Sequence, residues 1–139
     1  MYLLDTDVLS ELRKAKSGRA NAGVVTWAKA VPSTSLYLSV ISILELEMGV
    51  LRVERRDARQ GAMLRAWLED QVLPAFAGRI IAVDTAVARC CAHLHVPDPR
   101  ADRDAPFAAA ALVHGMKVVT RNVADFAPTG VVTIDPWQG

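Results

Sequence analysis

Short apolar runs that give way at once to helical periodicity recur along this sequence, and that alternation narrows the fold more than any other feature. Tyr2 to Leu4 reads as a buried strand, after which Val8, Leu9 and Leu12 recur at the spacing of a helix over roughly Val8 to Lys14. Asn21 is placed to cap a helix over Ala22 to Ala30, which Pro32 stops. Ser35 to Ser39 alternates as a second strand, and from Ser42 a helix carries Leu44, Leu46, Met48 and Leu51. A longer helix over about Ala58 to Phe76 sets Met63, Leu64, Trp67, Leu68 and Val72 on one stripe, so the pair reads as a helical arm. Arg79 to Val83 is a third strand. Asp84 caps the helix that follows over Ala86 to Leu94, and Pro97 and Pro99 end it. Asp104 opens an Ala-rich helix that Gly115 closes, before strands at Lys117 to Thr120 and near Val131 to Ile134. Strands alternating with helices predict an α/β fold, with a mostly parallel central sheet flanked by helices. In such a sheet, functional polar groups gather beyond the carboxyl ends of the strands. Neither a repeat nor a linker interrupts residues 1–139, so one domain is expected.

A chain of 139 residues can bury a core without disulfides or a structural metal, and 52% apolar against 22% charged residues marks it as globular. Lysine and arginine number 16 against 15 acids, which leaves no bulk field to draw in nucleic acid or an anionic membrane, so any polyanion must be held locally. Cys90 and Cys91 are adjacent, a poor geometry for a disulfide, and point to a reducing, cytoplasmic setting. No leader pattern precedes the first strand, and no apolar run reaches the roughly 18 residues of a spanning helix, so no membrane role is expected.

The acids that fall at strand ends, or in the first turn of the next helix, are Asp5, Asp7, Glu45, Asp84, Asp104 and Asp125. Converging carboxylates of this kind suit Mg²⁺ or Mn²⁺ at a phosphodiesterase site, because a hard cation takes oxygen ligands and retains several waters. Each acid also has a plain structural use. Ser42-Ile-Leu-Glu45 matches a capping box, Asp84 does no more than cap its helix, and Asp104 is a favourable charge at a helix start. Asp125 lies in a helical turn of the kind found on any surface. Asp5 is the hardest to explain structurally, since it follows a buried strand with no glycine turn. Cys90-Cys91-Ala-His93-Leu-His95 has metal-ligating residue types, but i, i+2 spacing parts the histidines on a helix, so core packing is the better reading. Arg52, Arg55, Arg56, Arg59 and Arg65 concentrate on the arm, as a solvated face or as a guide for phosphate or an acidic partner.

Two family patterns compete for Leu3-Leu-Asp-Thr-Asp-Val-Leu9. Haloacid-dehalogenase-like phosphatases end a strand in D-x-D, which Asp5-Thr6-Asp7 fits, but Val8 stands where they place glycine and the later acidic pair is missing. Met1 to Glu11, Ser39-Val-Ile-Ser-Ile-Leu-Glu45 through Gly49, Asp104-Ala-Pro-Phe through Ala111, and Val119-Thr-Arg-Asn-Val-Ala-Asp-Phe126 together resemble a PIN domain over essentially the whole chain. More narrowly, the set looks like the toxin nucleases of VapC/FitB type. The resemblance implies an endoribonuclease dependent on Mg²⁺ or Mn²⁺, neutralised by an antitoxin whose C-terminal segment presents an arginine to the carboxylates. It also implies a homodimer, and a higher assembly with antitoxin on DNA. Leu36 to Val40 or the arm would supply the dimer surface. Carried over by position, the metal ligands fall on Asp5, Glu45 and Asp104, with Thr6 and Thr120 orienting them. Relatives often place aspartate directly after the Thr-Arg pair. Here Asn122 stands there, with Asp125 three residues on, and the fourth position is left to one or the other.

Overall fold

The computed structural model describes residues 1–138. Five strands form one sheet in the order β3-β2-β1-β4-β5, namely β1 (Tyr2–Leu4), β2 (Leu36–Ser39), β3 (Ile80–Ile81), β4 (Lys117–Val119) and β5 (Thr133–Ile134). Every pairing is parallel, so the sheet is wholly and not merely mostly parallel. Parallel strands need helical crossovers, which bury both faces of the sheet and turn each strand into a nearly continuous apolar run. Leu4 and Val119 accordingly pack against one set of helices, while their neighbours Leu3 and Val118 pack against the other.

The first face holds α1 (Thr6–Arg13), α2 (Ala22–Ala30), α3 (Val40–Arg56) and α4 (Ala58–Trp67). The last of these runs on through a π-helical turn at Leu68–Val72 into the short α5 (Leu73–Ala75). Val8, Leu9, Val24, Leu46, Val50, Leu68 and Val72 fill this side of the core. The second face is covered by α6 (Thr85–His95) and α7 (Asp104–His114), with the short α8 (Val123–Phe126) after β4. Ala108 to Ala111 are fully buried, and their small side chains let α7 lie close to the sheet. The sequence DAPFAAAA is therefore packing as well as site.

Several expectations shift by a turn or less. Helix α3 begins two residues earlier than expected, at Val40, because Ser39 caps it by accepting from the Ile41 amide at 3.0 Å. Ser42 is then inside the helix and buried, and the capping box with Glu45 does not form. Met63 lies beyond the edge of the α4 stripe and is 67% exposed. Leu36 to Val40 cannot supply a dimer surface, since β2 is an interior strand with Leu38 fully buried. The arm does expose Leu44, Leu51 and Met63. Cys90, Cys91 and Leu94 pack on the second core, and His95 Nδ1 accepts from the Arg100 amide at 3.0 Å, a structural use for that segment. No described helix is long and apolar enough to cross a membrane.

Candidate active site

The strand order reverses direction at β1: the chain moves outward to β2 and β3, then returns to place β4 and β5 on the other side. At such a switch point the connections leave in opposite directions and open a crevice beyond the strand ends. The ladder runs one residue past the strands here, with the Asp5 amide donating to the Val119 carbonyl at 2.9 Å and the Thr120 amide to that of Ile134 at 2.9 Å. Asp5 and Thr120 are thereby fixed side by side at the crevice mouth.

A cleft of about 490 Å³ opens there, lined by Asp5, Thr6, Asp7, Glu45, Asp104 and Asn122, with Ser10, Glu11, Arg121 and Trp137 around them. Asp5 caps α1 through the Thr6 amide at 2.8 Å, and its other oxygen accepts from the Thr120 hydroxyl at 2.8 Å. The Thr6 hydroxyl donates to Glu45 at 2.8 Å. Each threonine thus commits its single proton to one acid, which fixes the carboxylate's rotation. Asp104 begins α7 and reaches the cleft from the opposite face of the sheet.

The electrostatics are those of acids held together without enough cation. Burial pushes the Asp5 carboxyl above its ordinary value, against the lowering effect of its two hydrogen bonds, and the charges of Glu45 and Asp125 add to the rise. Asp104 is raised by burial first, then by Asp125 and Asp5. Arg103 approaches Glu45 at 3.6 Å from an exposed position. Asp125 is exposed on α8 and does not line the cleft itself, yet its charge falls on both Asp5 and Asp104. Asn122 does line it, and turns its amide toward Asp7 at 3.4 Å.

Asp7, in the first turn of α1, is tied to the loop after β4. One of its oxygens accepts from the Arg121 amide at 3.1 Å as well as from Asn122, while the other is buried with no partner. Burial, and then the charge of Asp5, lift its pKa to about 6. Glu11 also reaches the cleft but is taken up structurally, accepting from the Asn21 amide at 2.8 Å and pairing with Lys14 at 3.3 Å. Asp84 stays apart from the cleft as the cap of α6, as its sequence context predicts.

Among the described residues, no three acid, histidine or cysteine side chains close on one point as an all-protein metal cage would require. The donors fit a looser arrangement. Magnesium is commonly held by one or two carboxylates and completed by water, and a wide cleft with several oxygen donors from different elements suits that chemistry.

A five-stranded parallel sheet whose switch-point cleft collects acids from β1, α3 and α7 defines a PIN domain. The model of the PIN domain family matches residues 2–128, and the chain belongs to that family. Among its relatives, the chain is 36% identical over 143 residues to the VapC ribonuclease Y4jK of Sinorhizobium fredii, covering 99% of both chains. It is 34% identical over 144 residues to toxin FitB of Neisseria gonorrhoeae, again with 99% of each covered. The crystal structure of FitAcB from N. gonorrhoeae superposes with a TM-score of 0.90 at 33% identity over 100% of both chains. The structure of FitAB bound to a DNA fragment gives 0.88 at 32%, covering 99% of this chain and 96% of that one. The phosphatase reading of Asp5-Thr6-Asp7 is overturned by this membership.

Proposed function

We propose that this chain is a divalent-metal-dependent endoribonuclease that acts as the toxin of a toxin–antitoxin pair. The observation that carries the reading is the carboxylate cleft at the β1–β4 switch point, where acids outnumber cations, in a chain similar along its whole length to a VapC ribonuclease and to toxin FitB. Asp5 and Asp104 would hold Mg²⁺ or Mn²⁺, with Glu45 ligating directly or through water. When bound, the ion supplies charge for the phosphoryl oxygens and makes a bound water more acidic. Thr120 and Thr6 keep Asp5 and Glu45 in rotation, and Glu45 accepts the proton of the attacking water. Asp125 supplies the fourth negative charge, while Asn122 serves as a neutral amide on the cleft wall.

The partner is an antitoxin, in line with the relative solved as FitAcB and as FitAB on DNA. Its arginine would bring the positive charge that the cleft lacks. A homodimer using the exposed apolar residues of the arm, and a DNA-bound assembly with antitoxin, complete the proposal. The test is cleavage of single-stranded RNA by the purified chain with Mg²⁺ or Mn²⁺, with EDTA, and after Asp5→Asn. Cleavage that requires metal and Asp5 is expected. Undiminished cleavage by Asp5→Asn would sink the assignment, and no cleavage under any condition would leave a non-catalytic binding module as the better account.

A further inference from the structure

The cleft does not end at the carboxylates. Trp137 lines it, and also lines a second cavity of about 570 Å³ whose walls include Trp27, Asn21, Thr26 and Asp135. Trp137 is therefore shared between the acid cleft and a neighbouring space that Trp27 also lines. Trp137 is held firmly. Its amide donates to the Asp135 carboxylate at 2.9 Å, and the Gln138 amide closes the same turn on the Asp135 carbonyl at 3.2 Å. Helix α2 presses on that turn at Gly23, where a Cβ would stand 2.5 Å from the Pro136 carbonyl oxygen, so only glycine permits the approach. Trp27 is steadied in turn by Tyr2, whose ring meets it edge-on at 5.2 Å.

A cation completes the arrangement. The Arg121 guanidinium lies over the Trp137 ring at 5.5 Å, and the Arg121 amide is tied to Asp7. Arg121 makes none of the described ion pairs to the cleft carboxylates, and its guanidinium rests on the indole at the cleft wall. It does suit a polyanion with planar bases, for which aromatic stacking surfaces and arginine are the usual combination. Resting on the nuclease reading above, we propose that Trp137 and Arg121 seat the unpaired nucleobase next to the cleaved phosphodiester, with the base directed into the cavity walled by Trp27. Arg121 meets the adjoining phosphate. The seat favours single-stranded RNA, since a paired base must first break its pairing and stacking to enter.

The test uses a set of single-stranded RNA oligonucleotides that carry one abasic nucleotide, moved position by position past the cleavage site. Wild-type protein is expected to show a KM raised roughly 5- to 100-fold at one position, the range that one lost stacking contact gives, with kcat changed far less. Trp137→Leu should show that KM on every intact oligonucleotide and no further penalty at the abasic position. Trp137→Phe, which keeps a ring and the packing, should fall between. Titration with the intact oligonucleotide in EDTA should quench tryptophan fluorescence in wild type, and less in Trp137→Phe. An abasic penalty that persists undiminished in Trp137→Leu overturns the seat and leaves the nuclease intact. So does a Trp137→Leu protein that cleaves with wild-type KM but escapes the antitoxin, which would make the cavity a peptide site. Wild-type protein that cleaves no RNA removes the nuclease reading, and the seat with it.

Discussion

Carboxylates gather at two places in this molecule, and they are treated in opposite ways. On the α3–α4 face, Glu47, Glu54 and Glu69 converge on Arg65, with the latter two at 3.2 and 3.7 Å. The guanidinium holds its proton more firmly for that company. In the cleft, Asp5, Asp7, Glu45 and Asp104 share one described ion pair, from Arg103 to Glu45, and Asp7 keeps a buried oxygen with no partner. The first group clips two helices together. The second costs stability, since burying like charges side by side is unfavourable unless something else compensates. Acids that a fold needs arrive with their cations; acids held against their neighbours point to a ligand that brings the charge.

The largest expected effect is on catalysis. Asp5→Asn or Asp104→Asn should lower RNA cleavage by roughly 10²- to 10⁴-fold, the scale of several kcal/mol of lost transition-state charge stabilisation, as read from initial rates on a labelled oligonucleotide. Arg65→Gln should leave that rate within about threefold, because it touches the other group. Next in size is the thermal response. Saturating Mn²⁺ should raise the melting temperature of the wild-type chain by roughly 5–10 °C, and this gain should vanish in Asp5→Asn but survive in Arg65→Gln. Equal melts with and without Mn²⁺ would erase the distinction between the two groups.

A smaller effect concerns acid. The metal-free carboxyls of Asp5, Asp7 and Asp104 sit above their unfolded values, so the folded chain binds more protons. The stabilisation from protonating them is fully present below the unfolded values and is lost as the pH rises through the folded ones, near 6 for Asp7. Asp7→Asn should flatten that part of the stability curve, measured by denaturant unfolding in EDTA between pH 5 and 7.5. The least effect is that of Arg65→Gln on stability itself, a slight drop in melting temperature that salt diminishes, as befits an exposed cluster.

Much of this fold is legible in the sequence because its strands are buried on both faces. Tyr2-Leu-Leu4 and Lys117-Val-Val119 announce themselves as apolar runs, and Asn21, Asp84 and Gly115 mark helix ends by local chemistry that tertiary packing leaves alone. Local chemistry also misleads. Ser42 and Glu45 have the spacing of a cap, but the end of β2 presents Ser39 to the helix first, and Glu45 is freed to meet Thr6. Asp5, Glu45 and Asp104 are legible as a set only through the family pattern. Asp7 stands among the strand-end acids, but its meeting with Arg121 and Trp137 is not legible, since it comes about only through the pairing of β1 with β4 and of β4 with β5. A D-x-D pattern says nothing of an amide 114 residues away.

The bond from Thr120 to Asp5 spans 115 residues, and β1, made long before β4, waits beside β2 until Lys117–Val119 can pair with it. Under the toxin reading, this delays the hazard on the ribosome. A nascent polypeptide interrupted before Lys117 leaves β1 without its β4 neighbour and Asp5 without the Thr120 hydroxyl, so an aborted translation product is expected to be inert. The cell then need supply a neutralising partner only for chains that have grown past Thr120.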